Sequence, residues 1–212
     1  MALYRDRTHA GERLAAAMAG LGGEGVVVVA LPRGGVPVAA VVARELGAPL
    51  DVLPVRKVGH PHQPELALGA LALGGRVVRN EEVLARSRAA EGWFERQAAL
   101  ERRELERRAV TYRGSAAPPD LTGKEVLLVD DGLATGATMR AAVAAARDLG
   151  ARRVVVAVPV GAPSTVAQLR AEADAVVCVF EPQTLSSVGE WYDDFAQTTD
   201  AEVLAILAER AP

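Results

Sequence analysis

Two adjacent carboxylates, Asp130 and Asp131, stand directly before a loop of small residues that opens a predicted helix. The loop residues are Ala134, Thr135, Gly136, Ala137 and Thr138. Small residues let consecutive backbone amides approach an anion, and the start of the following helix adds unpaired N–H groups and a positive dipole end. The loop therefore predicts a phosphate site, whereas the carboxylates suit hydroxyl groups or a hydrated cation. A phosphorylated sugar meets both requirements.

Other interpretations of this stretch fit the sequence less well. A Walker-type nucleotide loop requires Gly-Lys-Ser/Thr, and a dinucleotide site requires Gly-x-Gly-x-x-Gly after the first strand. The chain has neither pattern at these places. Acidic residues that merely cap the next helix are the remaining alternative.

The stretch VLLVDDGLATGATM, residues 126–139, resembles the signature of the type I phosphoribosyltransferases. That signature is a hydrophobic strand, two acidic residues and a Thr-Gly-x-Thr/Ser loop. The resemblance implies that Asp130 and Asp131 bind the ribose hydroxyls of phosphoribosyl pyrophosphate (PRPP) and that the loop from Ala134 to Thr138 binds its 5′-phosphate. It also implies a Mg2+ cofactor held by Asp130 and Asp193, and a catalytic role for Asp131.

A second segment, Arg33, Gly34 and Gly35, follows the first predicted strand. In the family that this chain resembles, this position holds the loop that binds pyrophosphate. The resemblance therefore implies that these three residues contact PRPP and that the Pro32–Arg33 peptide bond is cis. Taken alone, the same residues would indicate an ordinary turn between a strand and a helix.

A third segment begins with Arg56 and Lys57 and is rich in glycine and proline. It resembles the mobile catalytic loop of the same family, which implies that Arg56 and Lys57 are catalytic. Its composition predicts a poorly packed lid over residues 58–65.

Residues 180–195, FEPQTLSSVGEWYDDF, resemble the small hood that covers the base in this family. The resemblance implies base contacts from Val188, Trp191 and Asp193, with a spacing similar to that of the 6-oxopurine members. Ala134 instead resembles the adenine type, because the 6-oxopurine members carry an acidic residue there. A purine is therefore the favoured acceptor, and its identity stays open.

Aromatic residues are concentrated after the last predicted strand, where Phe180, Trp191 and Tyr192 are three of only eight in the chain. They could stack on a planar base or pack the hood onto the sheet. We favour packing for at least two of them.

The elements that must position these residues predict an α/β fold, because short β-branched runs alternate with alanine-rich stretches. The predicted strands are 26–30, 51–55, 125–129, 153–158 and 175–179, and the predicted helices are 36–46, 135–149 and 163–171. Nearly continuous valine and leucine in the strands predicts a parallel sheet with helices on both faces. Residues 66–78, with three internal glycines, predict a hairpin.

Residues 80–113 are a charged insertion whose Glu and Arg spacing predicts one long solvated helix capped by Asn80. The alternative is a homo-oligomer contact through its apolar residues, which are Leu84, Trp93, Phe94, Leu100 and Leu105. Residues 115–120, SAAPPD, predict a linker between two halves of one fold. Residues 1–212 are therefore predicted to form a single phosphoribosyltransferase-like domain with a helical insertion and a hood.

Composition bounds the class of function. The 212 residues are 50% hydrophobic, and 24 basic against 27 acidic residues give a formal charge of -3. This composition excludes a disordered chain and argues against a nucleic-acid partner, for which a basic domain is expected. No apolar run reaches the ~20 residues that cross a bilayer. The charged start and single cysteine predict a cytoplasmic protein without a membrane partner.

Two functions are consistent with these residues. The first is an enzyme that transfers the phosphoribosyl group from PRPP to a nitrogenous base, purine favoured, and releases pyrophosphate. The alternative is a regulatory module that binds PRPP without catalysis.

Overall fold

The centre of the fold is a five-stranded sheet, shown by a computed structural model that describes residues 2–86, 90–115 and 117–209. The strands of the chain are β1 (Val26–Ala30), β2 (Leu50–Val52), β3 (Val55–His60), β4 (Gln63–Ala72), β5 (Val77–Arg79), β6 (Glu125–Val129), β7 (Arg153–Val160) and β8 (Ala175–Phe180). The central sheet has the order β2-β1-β6-β7-β8, and all neighbours pair in parallel. The predicted α/β class and parallel sheet are confirmed.

Helices cover both faces of this sheet. They are α1 (Arg7–Ala17), α2 (Gly35–Leu46), α3 (Glu81–Arg86), α4 (Ala90–Arg113), α5 (Ala137–Asp148), α6 (Pro163–Glu172) and α7 (Asp200–Ala208). In β1, Val27 and Val29 belong to the core that includes α5, while Val26 and Val28 belong to the core that includes α1 and α2. This division explains why the strands are valine-rich on both sides.

A second sheet, β3-β4-β5, is antiparallel. The hairpin predicted over residues 66–78 is confirmed by the pairing of β4 with β5. The strand predicted over residues 51–55 is correct only for Asp51 and Val52, because the chain leaves the parallel sheet after Val52 and Val55 begins the second sheet. Pro54 lies at the break and has no N–H to donate to a ladder.

Residues 58–65, predicted as a poorly packed lid, form strand and a tight turn in place of an open loop. Most of this segment belongs to β3 and β4, and Val58 is 1% exposed. Pairing of Val58 with Gly69 is followed by a register shift at Gly59, so the strand is irregular but hydrogen-bonded. Strands β3 and β4 form an antiparallel hairpin, and its movement when a ligand binds stays a prediction.

The insertion 80–113 contains two helices, α3 and α4, and residues 87–89 between them lie outside the described residues. Asn80 caps α3 as predicted, since its Oδ1 accepts from the Val83 amide at 3.3 Å. Phe94 and Leu105 are 1% and 3% exposed in the core, so these two cannot form the alternative oligomer contact. Leu100 is 56% exposed. A homo-oligomer stays a prediction.

Two other predictions concern the course of the chain. The linker 115–120 includes Ala116, and the single domain 1–212 includes Met1 and 210–212, all outside the described residues. The division into one domain, an insertion and a hood stays a prediction. Within the described ranges, no helix combines the length and apolar character needed to cross a membrane.

Candidate active site

The acidic pair lies at the carboxyl end of β6, against the loop that follows β1. A Cβ on Gly34 would overlap Asp131 Oδ2, and one on Gly35 would lie 2.9 Å from Asp130 Cα. Only glycine permits this close approach of the two loops. The Pro32–Arg33 peptide bond is cis, as the resemblance implies. Two of the three predicted PRPP segments are therefore in direct contact.

Arg7, at the start of α1, is bound to this pair. Its Nε lies 2.9 Å from Asp131 Oδ2, and the two side chains are only 12% and 15% exposed. Its Nη1 donates to the Ala196 carbonyl at 2.7 Å, and its guanidinium lies 4.0 Å from the centre of the Phe195 ring. Arg7 thus joins α1, the acidic pair and the end of the hood. No motif or spacing in the sequence indicated it.

The surroundings of the pair disfavour two negative charges. Burial raises the pKa of Asp130 well above its usual value, and the adjacent Asp131 raises it further. Burial also raises the pKa of Asp131, but Arg7 opposes this effect through its charge and hydrogen bond. Arg7 therefore favours the ionised form of Asp131, while burial disfavours the ionised form of Asp130.

Asp130→Asn is expected to stabilise the unliganded protein at about pH 8, and the gain should shrink as the pH falls toward about 4. A carboxyl group whose pKa is raised by folding destabilises the fold above that pKa, and this penalty disappears as the pH falls through it. Asparagine carries no charge and can still accept the Asp131 amide, which Asp130 Oδ1 accepts at 2.9 Å. Urea unfolding at several pH values in EDTA measures the effect, and a gain independent of pH would contradict it.

Helix α6 holds the small-residue loop in place through Thr165. Thr165 is 6% exposed, and its Oγ1 donates to the Ala134 carbonyl at 2.6 Å. Gly136 has φ +72, and a Cβ there would overlap Thr165 Cγ2. Among the described residues, no side chain caps the start of α5. Its first amides therefore have no side-chain acceptor and suit an anion. The sequence did not indicate Thr165.

A cavity of about 220 Å³ joins most of the predicted segments. Its lining includes Lys57 of β3, Asp130, the loop residues Ala134, Thr135, Gly136, Ala137 and Thr138, and Val188 of the hood. Residues from three separate predicted segments thus meet around one space, and their roles in binding stay predictions.

Two of the cationic residues predicted to contact PRPP, Arg33 and Arg56, form ion pairs with other parts of the protein. Arg56 and Lys57 are adjacent in β3 and so point to opposite faces. Lys57 lines the cavity, whereas Arg56 Nε lies 2.6 Å from Glu101 Oε2 of α4. Arg33 Nη1 lies 3.5 Å from Asp200 Oδ1 at the start of α7. Contacts of Arg33 and Arg56 with PRPP, and catalysis by Arg56, stay predictions.

The hood packs firmly on the sheet. The Trp191 and Phe180 ring centres are 5.0 Å apart. Tyr192 is 5% exposed, and its hydroxyl donates to the Asp131 carbonyl at 2.6 Å. Packing is therefore the observed arrangement of Tyr192 and Trp191, whereas Phe180 is 36% exposed. Asp193 is exposed, and its amide donates to Tyr4. Base contacts from Trp191 and Asp193 stay predictions.

The residues present fit Mg2+ only together with a ligand. No group of three or more His, Cys, Asp or Glu in the described part of the chain could hold a metal ion by itself. Asp130 and Asp131 offer carboxylate oxygens, and Mg2+ is commonly held by one or two carboxylates plus substrate phosphates. The acidic pair therefore suits a metal that arrives with a phosphorylated substrate.

Known proteins resemble this chain along most of its length. A profile of the phosphoribosyl transferase domain matches residues 7–190. The Mycobacterium tuberculosis protein named "Putative phosphoribosyl transferase Rv0571c" is 47% identical over 210 residues, which are 98% of this chain and 47% of that protein. This chain thus spans about half the length of the curated relatives it matches.

Two solved structures are also similar. The protein TT1426 from Thermus thermophilus has a TM-score of 0.82 and 49% sequence identity, with 99% of each chain covered. The AQ2163 protein from Aquifex aeolicus has a TM-score of 0.52 and 12% identity, covering 86% of this chain and 76% of that one. The second likeness concerns the fold alone.

Proposed function

The chain belongs to the phosphoribosyl transferase domain family, and from this membership we propose that it transfers the 5-phosphoribosyl group of PRPP to a nitrogenous base and releases pyrophosphate. The observation that carries the proposal is the cavity at the end of β6. It joins a lysine, a carboxylate and a loop of small residues, which are the groups that a phosphorylated sugar carrying pyrophosphate requires.

The sugar and its 5′-phosphate occupy the β6–α5 side of the site. Backbone amides of the loop 134–138 bind the phosphate, helped by the positive end of the α5 dipole. Asp130 and Asp131 accept hydrogen bonds from the ribose hydroxyls. Arg7 already covers Asp131 Oδ2, so Oδ1 is the oxygen that Asp131 offers to the sugar. Asp131 also stabilises the positive charge that develops on the ribose when the bond at C1′ breaks.

The pyrophosphate leaves on the side of Lys57 and the Gly34-Gly35 turn. Lys57 provides positive charge, and the turn provides the Gly34 amide, where negative charge grows in the transition state. The Gly35 amide already donates to the Leu31 carbonyl at 3.1 Å. We propose that Asp130 and Asp131 would hold Mg2+ together with the substrate phosphates, and that the metal would offset charge on pyrophosphate. Asp193 as a metal ligand stays a prediction. Release of pyrophosphate is therefore favoured by groups that are in place before the reaction.

The acceptor is proposed to be a purine under the hood. Val188 brings an apolar contact from the hood to the cavity. Ala134 has no acid or base to offer the ring, so any proton leaves through solvent or Asp193. The proposal thus names the class of base and leaves open which purine it is.

Pyrophosphate release tests this function. We expect turnover with at least one of adenine, hypoxanthine, guanine and xanthine at saturating PRPP and Mg2+, and none with uracil or orotate. Release with a pyrimidine alone would refute the purine preference. Binding of PRPP without release for every base would instead favour the regulatory module.

A further inference from the structure

Helix α4, within the insertion, contacts the hairpin that carries Lys57. Glu101 Oε2 lies 2.6 Å from Arg56 Nε, and both side chains are about three-quarters buried, at 22% and 28% exposed. Trp93 Nε1 donates to the Gly59 carbonyl at 3.2 Å. Because side chains alternate along a strand, holding Arg56 on α4 turns Lys57 to the opposite face, where it lines the cavity.

The same helix is linked to the loop of Arg33 through Asp200 of α7. Tyr112 donates its hydroxyl to Asp200 Oδ1 at 2.6 Å, and Arg33 Nη1 lies 3.5 Å from the same oxygen. Burial raises the pKa of Tyr112 to about 12, so its hydroxyl stays protonated and donates. The Tyr112 hydrogen bond is also the main reason that the pKa of Asp200 is lowered. Asp200 is therefore a carboxylate that joins Tyr112 to Arg33.

Both connections lie on one side of a single helix. Glu101 and Tyr112 are eleven residues apart in α4, which at 3.6 residues per turn is about three turns and ~16 Å along the axis. Trp93 lies within ~100° of both around the helix. A rigid helix thus holds two segments that are distant in the sequence and belong to different sheets.

We propose that α4 positions the β3–β4 hairpin and the Arg33–Gly35 loop for pyrophosphate, with Glu101 and Tyr112 as positioning residues. This inference rests on the proposed function, because that function assigns pyrophosphate to these two segments. Glu101 acts through Arg56, and Tyr112 acts through Asp200 and Arg33. The sugar half of the site, at the acidic pair and the loop of α5, lies outside these connections.

Two fragments of PRPP separate these halves of the site. Titration calorimetry measures the affinity for inorganic pyrophosphate plus Mg2+ and, separately, for ribose 5-phosphate. The proteins compared are the wild type, Glu101→Gln and Tyr112→Phe. Each substitution keeps the shape of its side chain. We expect pyrophosphate to bind about tenfold more weakly to each variant and ribose 5-phosphate to bind as it does to the wild type.

Glu106→Gln is the matched control. Glu106 is also a carboxylate of α4, but its side chain is exposed to solvent. Its substitution should therefore leave both affinities unchanged. Asp200→Asn is a second variant at the Arg33 end, and it should behave as Tyr112→Phe does. Thermal melts establish that each variant is folded at the temperature of the titration.

The outcomes distinguish this inference from the proposed function. The role of α4 is overturned if Glu101→Gln and Tyr112→Phe both bind pyrophosphate as the wild type does. It is also overturned if the variants lose affinity equally for pyrophosphate and ribose 5-phosphate. A wild type that binds ribose 5-phosphate but not pyrophosphate also overturns it, while the sugar site stands. A wild type that binds neither fragment nor PRPP overturns the proposed function, and this inference with it.

Discussion

Asp131→Asn is expected to remove most of the stabilisation that PRPP and Mg2+ give to this protein. A ligand at 100 times its dissociation constant adds ~2.7 kcal/mol to the free energy of unfolding. Asparagine keeps the shape of the side chain but loses the charge that pairs with Arg7, and it has one acceptor oxygen where Arg7 and the ribose each require one. Thermal melts with and without ligand measure the difference, and we expect a clear shift for the wild type and a small one for the variant.

Glu24→Gln provides the control for this change. Glu24 is an exposed carboxylate in the turn before β1, and its substitution removes the same charge. It should preserve the full ligand-induced shift. If Asp131→Asn shifted as far as the wild type, the ribose would have to bind without this carboxylate.

Gly136→Ala is expected to have the second large effect. Gly136 has φ +72, and an added Cβ would overlap Thr165 Cγ2. The backbone conformation alone costs an L-residue about 1–2 kcal/mol, and the contact with the buried Thr165 adds to that cost. Displacement of the loop also moves the amides that hold the 5′-phosphate. We expect PRPP affinity to fall by roughly two orders of magnitude.

Gly123→Ala separates these two causes. Gly123 has φ +70, nearly the same as Gly136, but a Cβ there meets nothing within 4 Å. Its substitution should therefore carry only the backbone penalty and leave PRPP affinity unchanged. Urea unfolding and PRPP titration are measured on both variants. Equal destabilisation together with equal affinity would show that the loop around Gly136 is not a phosphate site.

The local part of the site was predictable because its chemistry is continuous in the chain. The acidic pair, the small-residue loop and the start of α5 follow one another within 126–139, and strand, loop and helix are each encoded by adjacent residues. The structure adds that Gly34 and Gly35 pack on this pair. The resemblance implied the place of this second loop, but the sequence alone indicated only a turn.

The contacts of the site between residues that are distant in the chain were not predictable from one sequence. Arg7 and Asp131 are 124 positions apart, and Thr165 meets Ala134 across 31 positions. Neither contact leaves a periodic or motif signal, since an arginine or threonine near a helix start is common. The surroundings of α4 were missed for the same reason. Its charged composition predicted a solvated helix, whereas Phe94 packs against Gly69 of the second sheet.

The β3–β4 hairpin, which includes residues 58–65, was predicted wrongly for a different physical reason. Glycine and proline favour loops, but pairing with neighbouring strands can override that local preference. Val58 is buried and pairs with Gly69, where the missing side chain lets Phe94 approach. Tertiary packing of α4 thus stabilises a segment whose composition alone predicts an open loop.

The central claim is that the cavity at the end of β6 binds PRPP, and a crystal structure of the protein with PRPP and Mg2+ tests it most directly. We expect 5′-phosphate oxygens at about 3 Å from backbone amides of residues 135–138 and ribose hydroxyls within hydrogen-bond distance of Asp130 and Asp131. Lys57 should face the pyrophosphate. PRPP bound elsewhere, or with its phosphate away from this loop, would contradict the account.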